Sequence, residues 1–201
     1  MKRASRTSKK TLKIVFLDRD GVINVFPGNG NYVTRVKDFR FLPGSREAIR
    51  DLTVKGYTLF VVSNQAGVGK GIFTKNKLDR ITRKMVGDIE KAGGKIRKVY
   101  YSTSRSDANC PDRKPNIGSV LKALKLLRAD RRVLKNAFFV GDTQIDIMAG
   151  IKAGCRTIFV LSGREDRAYL RKRWTVRPDH IADNLLEASK LIDQFHRRGG
   201  L

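Results

Sequence analysis

Short, largely apolar runs alternate along this chain with stretches whose apolar positions recur every three or four residues. The runs 12–17 (LKIVFL), 57–62 (YTLFVV), 96–101 (IRKVYY), 136–140 (NAFFV) and 156–161 (RTIFVL) have the length of strands. Most lack the strict in-out alternation of a sheet with one wet face, so they predict strands buried on both sides. The stretches 45–55, 74–92, 117–129, 144–153 and 183–195 predict helices. Ala48, Ile49 and Leu52 share a face in the first, which follows Pro43 and Gly44. Thr74 is placed to cap the second, which Gly93 and Gly94 end; Val120, Leu121, Leu124 and Leu127 line one side of the third; Gly154 closes the fourth. Doubly buried strands that alternate with helices predict an α/β fold, a parallel sheet with helices on both faces. No internal repeat or long linker interrupts the pattern, so residues 11–201 are expected to form one domain, preceded by a basic, disordered arm over residues 1–10.

In such sheets ligands bind outside the carboxyl ends of the strands, where the strand order reverses. The residues directly after the predicted strands are therefore the place to look for chemistry. They are Asp18-Arg19-Asp20-Gly21, Ser63-Asn64-Gln65, the loop 102–115, and Gly141-Asp142 with Asp146 four residues on. Carboxylates gathered at strand ends repel one another unless a cation sits among them. Magnesium suits such a set, being a hard ion that takes few protein oxygens and keeps positions for water and phosphate. Ser63 adds a hydroxyl, Asn64 an amide, Lys114 a point charge and Arg113 a planar fork for phosphate. Phosphoryl transfer needs an in-line nucleophile, neutralisation of the equatorial oxygens and a proton for the leaving group, and this set contains a group for each.

The segments DRDGVIN (18–24), SNQ (63–65), RKP (113–115) and GDTQID (141–146) resemble, in order, the four motifs of the haloacid dehalogenase superfamily. The resemblance spans residues ~12–162, and the wording FLDRDGVIN, FLPG, VVSNQAGVGKGIFT and CPDRKP is similar to the branch holding histidinol-phosphate, heptose-bisphosphate and polynucleotide 3′-phosphatases. It implies a Rossmann-like fold and an aspartyl-phosphate mechanism. Asp18 would be nucleophile and magnesium ligand. Asp20 would be acid/base and give its backbone carbonyl to the metal. Ser63 and Asn64 would bind the transferring phosphoryl group, and Lys114 would neutralise it and orient Asp18. Asp142 would ligate magnesium, Asp146 would steady Lys114 or a metal-bound water, and Arg113 would contact substrate. Gly21 is expected to serve the turn after Asp20.

Two tempting sites fail on their spacing. GVGKG (67–71) lacks the Gly and the Ser or Thr of a phosphate-binding GxxxxGK[ST] loop, since Asn64 and Gly71 occupy those positions. Many relatives in the resembled branch hold a structural zinc before RKP; the matching positions here are Ser102, Ser104, Cys110 and Asp112. With one thiol among four, no structural zinc is expected. His180 and His196 lie outside the motifs and are assigned structural or surface roles. The gaps 22–44 and 66–95 are too short for a cap domain, so the site is expected to be open, with Tyr32 and Arg35 at its mouth.

Composition widens the choice of substrate. Forty-three Lys and Arg against nineteen Asp and Glu give a formal charge of +24, which attracts polyanions or small phosphorylated molecules. Lys122, Lys125, Arg128, Arg131, Arg132 and Lys135 crowd the helical stretch 119–135. Arg164, Arg167, Arg171, Lys172, Arg173 and Arg177 crowd 164–177, with Tyr169 and Trp174 between them as potential stacking platforms. Two cysteines, no apolar run of membrane-spanning length and no signal-peptide pattern point to a reduced, cytoplasmic protein with no membrane partner. The leading expectation is a magnesium-dependent phosphomonoesterase acting on a small phosphorylated metabolite such as a heptose bisphosphate or histidinol phosphate. The alternatives are a 3′-phosphatase of DNA or RNA ends, and a non-catalytic basic protein that binds nucleic acid on the same scaffold.

Overall fold

The computed structural model describes residues 12–105 and 107–197, the side chains of residues 171–173 excepted. The basic arm expected over residues 1–10 lies outside the described residues. Six strands form one parallel sheet: β1 (Ile14–Leu17), β2 (Thr58–Asn64), β3 (Ile96–Ser102), β4 (Phe138–Gly141), β5 (Arg156–Val160) and β6 (His180–Ala182). Their order is β3-β2-β1-β4-β5-β6, so the chain builds outward from β1 in one direction and then in the other. The order reverses between β1 and β4, and that places the crevice beside their carboxyl ends.

Alternate strand residues feed two cores. Val15, Leu17, Leu59, Val61, Phe138 and Val140 face one side of the sheet, where they meet helices α1 (Ser45–Val54), α3 (Lys75–Lys91) and α7 (Leu185–Arg197) through Ile49, Leu52, Ile81, Met85, Ile89, Leu185 and Ile192. Ile14, Phe16, Phe60, Val62 and Phe139 face the other side, against α4 (Gly118–Leu127) and α5 (Gln144–Ala153). This two-residue period explains the continuous apolar runs of the central strands, because every position of β1 and β4 and nearly every position of β2 and β5 is an inside position; edge strand β3, with Arg97 and Lys98 exposed, departs from it. The ring of Phe16 stacks between those of Phe60 and Phe139 at centroid distances of 5.6 and 5.9 Å, tying the three central strands together.

The end signals act as their chemistry dictates. Thr74 accepts the Lys77 N–H at the start of α3. Thr143 and Asp146 form a reciprocal capping box on α5, which Gly154 closes at φ 83°. Besides a 3-10 turn at Val36–Asp38, three elements escaped the pattern: the single turn α2 (Ala66–Gly69), helix α6 (Arg167–Arg173) and strand β6. β6 has only three residues, and α6 offers Leu170 as its one described buried side chain, so neither carries a readable period. The stretch 119–135 is also not one helix. α4 ends at Leu127 with Arg128 in the left-handed region, and a 3-10 segment follows over Arg131–Asn136. Its six basic residues are therefore divided: Lys122 and Lys125 on α4, Arg131, Arg132 and Lys135 on the 3-10 segment, and Arg128 between them. No helix among the described residues is long and apolar enough to cross a membrane.

Candidate active site

β1 and β4 run side by side, and the Asp18 N–H donates to the Val140 carbonyl at 2.9 Å, so the ends of the two strands are in step. Asp18 leaves β1 and Asp142 leaves β4 at the same edge, and Asp146 comes in from the first turn of α5. One carboxylate oxygen from each of the three lies within 4.8 Å of the others, and all three residues are buried. Lys114 enters from the loop after β3, with Nζ 2.6 Å from Asp18 Oδ1 and 2.6 Å from Asp146 Oδ1. Thr143 holds the second oxygen of Asp146 through its N–H at 3.1 Å and its hydroxyl at 2.6 Å.

Burial sets the electrostatics. Loss of solvent raises the Asp18 carboxyl to about 6 against the pull of Lys114, with Asp146 and Asp20 adding to the rise. Asp142 is pushed well above the ordinary range by burial and by the charges of Asp146 and Asp18, although the Arg164 N–H, 2.7 Å from its Oδ2, works the other way. For Lys114, burial favours the neutral amine, but Asp146 and Asp18 outweigh it and hold the ammonium charged. The site is a buried anionic cluster with too few internal positive charges.

The other predicted residues divide. Asp18, Asp20, Ser63, Asn64, Arg113, Lys114, Asp142 and Asp146 all line one open cleft of about 210 Å³. Asp20 stands apart from the lysine, held by Arg19, Asn24 and Gln65. Asn64 lines the cleft as expected and has a further task. Its side-chain oxygen accepts the Lys114 N–H at 3.0 Å and its amide donates to the Lys114 carbonyl at 3.1 Å, so the side chain clamps the backbone of the lysine. Arg113 reaches the cleft while donating to the Ser104 carbonyl at 3.1 Å. Tyr32 lines the mouth with Phe26, Pro27 and Asn31 from the first insertion. Arg35 does not: it is exposed, pairs with Asp38 at 2.7 Å and is absent from the lining.

The basic, aromatic segment is also corrected. Trp174 is buried against Phe159, with ring centroids 4.7 Å apart, and donates its indole N–H to Glu165, so it offers no face for base stacking. Tyr169 remains exposed. Arg171, Lys172 and Arg173 belong to that expectation too, and their side chains lie outside the described residues. His196 packs on Tyr57 and His180 on Phe195, both away from the cleft. In the loop before RKP, Ser102 and Ser104 both bond the Cys110 thiol and lower it, so three of the positions matched to zinc ligands do converge.

Several contributors went unread, and Gly21 does more than serve the turn expected of it. Gly163 and Gly21 approach Asp142 so closely that a Cβ on either would lie 2.1 or 2.2 Å from its Oδ2. Gly21 also takes φ +82°, which a side chain disfavours. Ser162 donates to the Gly21 carbonyl at 2.8 Å, joining the loops after β1 and β5. Glu165 accepts the Gln144 N–H at 3.0 Å, and burial raises its carboxyl. The Gly-Arg-Glu triplet after the fifth apolar run was the available signal, because it too follows a strand.

The family described as "HAD-hyrolase-like" matches residues 112–188. The D-glycero-beta-D-manno-heptose-1,7-bisphosphate 7-phosphatase of Haemophilus influenzae is 32% identical over 192 residues, covering 92% of this chain and 99% of its own. The D-glycero-alpha-D-manno-heptose-1,7-bisphosphate 7-phosphatase of Campylobacter jejuni is 33% identical over 150 residues, 75% of this chain and 83% of its own. The crystal structure of D,D-heptose 1,7-bisphosphate phosphatase from B. bronchiseptica, complexed with magnesium and phosphate, superposes with a TM-score of 0.83 at 28% identity, covering 91% and 99% of the two chains. The chain belongs to the haloacid dehalogenase-like hydrolases. Within that family its relatives are phosphatases, and it is an enzyme of the same kind.

Proposed function

We propose that this chain is a magnesium-dependent phosphomonoesterase that removes one phosphate from a heptose 1,7-bisphosphate through an aspartyl-phosphate on Asp18. The observation that carries the reading is the placement of Lys114, whose Nζ sits 2.6 Å from both Asp18 and Asp146 beside buried Asp142. Asp18 is the one carboxylate of the three that is both on this lysine and at the end of β1, open to the cleft. An oxygen of Asp18 attacks phosphorus, the bond to the sugar oxygen breaks, and Asp20 protonates that leaving oxygen. Asp20 then takes a proton from the water that attacks the phosphorus of the acyl phosphate, releasing phosphate and restoring Asp18. Lys114 and the Ser63 hydroxyl neutralise and orient the equatorial oxygens.

Magnesium fits the donors at hand. Asp18 and Asp142 offer oxygen ligands only, they are buried, and the single ammonium of Lys114 against three carboxylates leaves the cluster anionic. The Asp20 backbone carbonyl is assigned as the third protein ligand. When bound, the ion shields the repulsion between the nucleophilic carboxylate and the incoming phosphate. No structural zinc is assigned to the loop of Cys110, since serines stand where thiolates or imidazoles are needed.

The heptose bisphosphate reading rests on the relatives' activities and on an open cleft large enough for a sugar, with Arg113 at its wall. The formal charge of +24 favours a second reading, hydrolysis at 3′-phosphorylated nucleic-acid ends, while burial of Trp174 removes one of its two stacking platforms. A phosphate-release assay separates them. Heptose 1,7-bisphosphate, histidinol phosphate and 3′-phosphorylated oligonucleotides are compared at two salt concentrations, with EDTA and with restored magnesium. Heptose bisphosphate is expected to have the highest kcat/KM, with activity lost on chelation. A preference for oligonucleotide ends that falls steeply with salt would favour the second reading.

A further inference from the structure

Asp20 receives five hydrogen bonds from three neighbouring side chains. Arg19 reaches Oδ1 through Nε at 3.2 Å and Nη2 at 2.8 Å, and the same Nη2 lies 2.8 Å from Oδ2. Asn24 donates to Oδ1 at 2.9 Å and Gln65 to Oδ2 at 2.8 Å. Arg19, Asn24 and Gln65 each have 0% of their surface exposed. They come from the β1 loop and from the end of β2, so the carboxyl is held from two separate segments of the chain.

Burying a guanidinium is expensive, and an apolar side chain of similar volume commonly gives a fold at least as stable. This one is braced rather than tolerated. Its Cζ atom lies over the Tyr101 ring, 5.7 Å from the centroid, and Tyr101 accepts from the Thr82 hydroxyl of α3 at 3.0 Å. The brace runs from α3 through β3 to the loop after β1. Gln65 is braced in turn: its Nε2 also reaches the Ser63 hydroxyl at 3.3 Å. One amide thus connects Asp20 to the Ser63 side chain, and the two face the same cleft.

We propose that Arg19, Gln65 and Asn24 are positioning residues for Asp20, a buried clamp that fixes the direction from which its carboxyl meets the leaving oxygen. The proposal rests on the reading of Asp20 as the acid that protonates that oxygen. A bidentate fork plus two amides removes the rotation about the Asp20 side chain that an unclamped carboxyl would have. Proton transfer requires hydrogen-bond reach and alignment, so loss of this constraint weakens the acid without removing it.

The test uses two substrates that differ in their need for an acid. Heptose 1,7-bisphosphate loses its sugar monophosphate as an alkoxide unless the leaving oxygen is protonated, whereas p-nitrophenyl phosphate loses a stable phenolate. The ratio of their kcat/KM values reports the first bond-breaking step alone. Asp20→Asn is the reference and is expected to lose on the order of 100-fold more on the sugar substrate than on the aryl one. Gln65→Leu and Arg19→Met are expected to share that bias, at about 10-fold or more, with KM changing less than kcat. Gln65→Leu keeps side-chain bulk in the buried slot, and its melting curve shows whether the fold is kept; it carries the test should Arg19→Met not fold. Equal losses on both substrates in Gln65→Leu, with the bias present in Asp20→Asn, would overturn the clamp and leave the acid assignment standing. Absence of the bias in Asp20→Asn would remove the assignment and the clamp together.

Discussion

Replacing Lys114 by methionine tests the charge balance of the site through stability alone, independently of substrate. The Lys114 side chain is 3% exposed and its ammonium pairs with two buried carboxylates at 2.6 Å. Methionine fills similar volume and leaves those carboxylates facing each other and Asp142. Removing one partner of a buried pair typically costs about 3–5 kcal/mol. Protonation sets a ceiling on that cost. An aspartate with an ordinary pKa of 3.8 needs about three pH units of work to stay neutral at pH 7, and each unit is ~1.4 kcal/mol, so neutralising Asp18 costs at most ~4 kcal/mol. Asp146 keeps the Thr143 N–H and hydroxyl as partners, so Asp18 is the carboxylate that takes up the proton. Lys114→Met in EDTA is therefore expected to lose about 3–4 kcal/mol at pH 7 and about 2 kcal/mol or less at pH 5, where protonation is easier. Urea denaturation at the two pH values measures both. A loss below about 1 kcal/mol at pH 7, or an equal loss at both, would refute the idea that this ammonium balances a buried anionic cluster.

Two further outcomes follow from the same geometry. Gly163→Ala drives a Cβ to 2.1 Å from Asp142 Oδ2 and is expected to weaken magnesium activation by about tenfold or more, read from the magnesium dependence of turnover; Gly87→Ala on α3, with no atom within 4 Å of the new Cβ, serves as the neutral control. Magnesium should raise the melting temperature more at pH 7 than at pH 5. The raised Asp18 carboxyl lends the metal-free fold stability that is fully present below pH 3.8 and lost as pH rises through about 6, so the cation has most to restore above that window; an equal shift at both values would contradict this.

Most of the fold and the catalytic edge could be read before any coordinates. Strands such as 12–17 and 57–62 are buried on both faces, so a continuous apolar run announces them. The rule that ligands gather at strand ends then points to Asp18, Ser63 and Asp142 with no further information. Legibility stops where a residue's role depends on who its neighbour is. Asn64 is placed at the cleft by its position after β2, but nothing local announces that its side chain also completes a peptide-like pair with Lys114, fifty residues away. Trp174 looked like a stacking platform because arginines surround it in sequence, yet its indole faces Phe159 and Glu165. Arg19 sits inside the most informative motif yet has no role legible in the sequence, because nothing local reveals that Tyr101 and Gln65 enclose it with Asp20. β6 and α6 were missed for want of length, not of structure: the Asp179 carboxylate that binds the Thr157 N–H at 2.7 Å helps fasten this short edge strand to β5.

The central claim is that Asp18 becomes phosphorylated, and trapping that species tests it most directly. Enzyme mixed with heptose 1,7-bisphosphate and magnesium is quenched within a single turnover and reduced with borohydride, which converts an acyl phosphate on aspartate to homoserine. Peptide mass analysis is expected to find homoserine at position 18, and none in Asp18→Asn or in enzyme quenched without substrate. Phosphate release at full rate with position 18 unmodified, or full turnover by Asp18→Asn, would contradict the account.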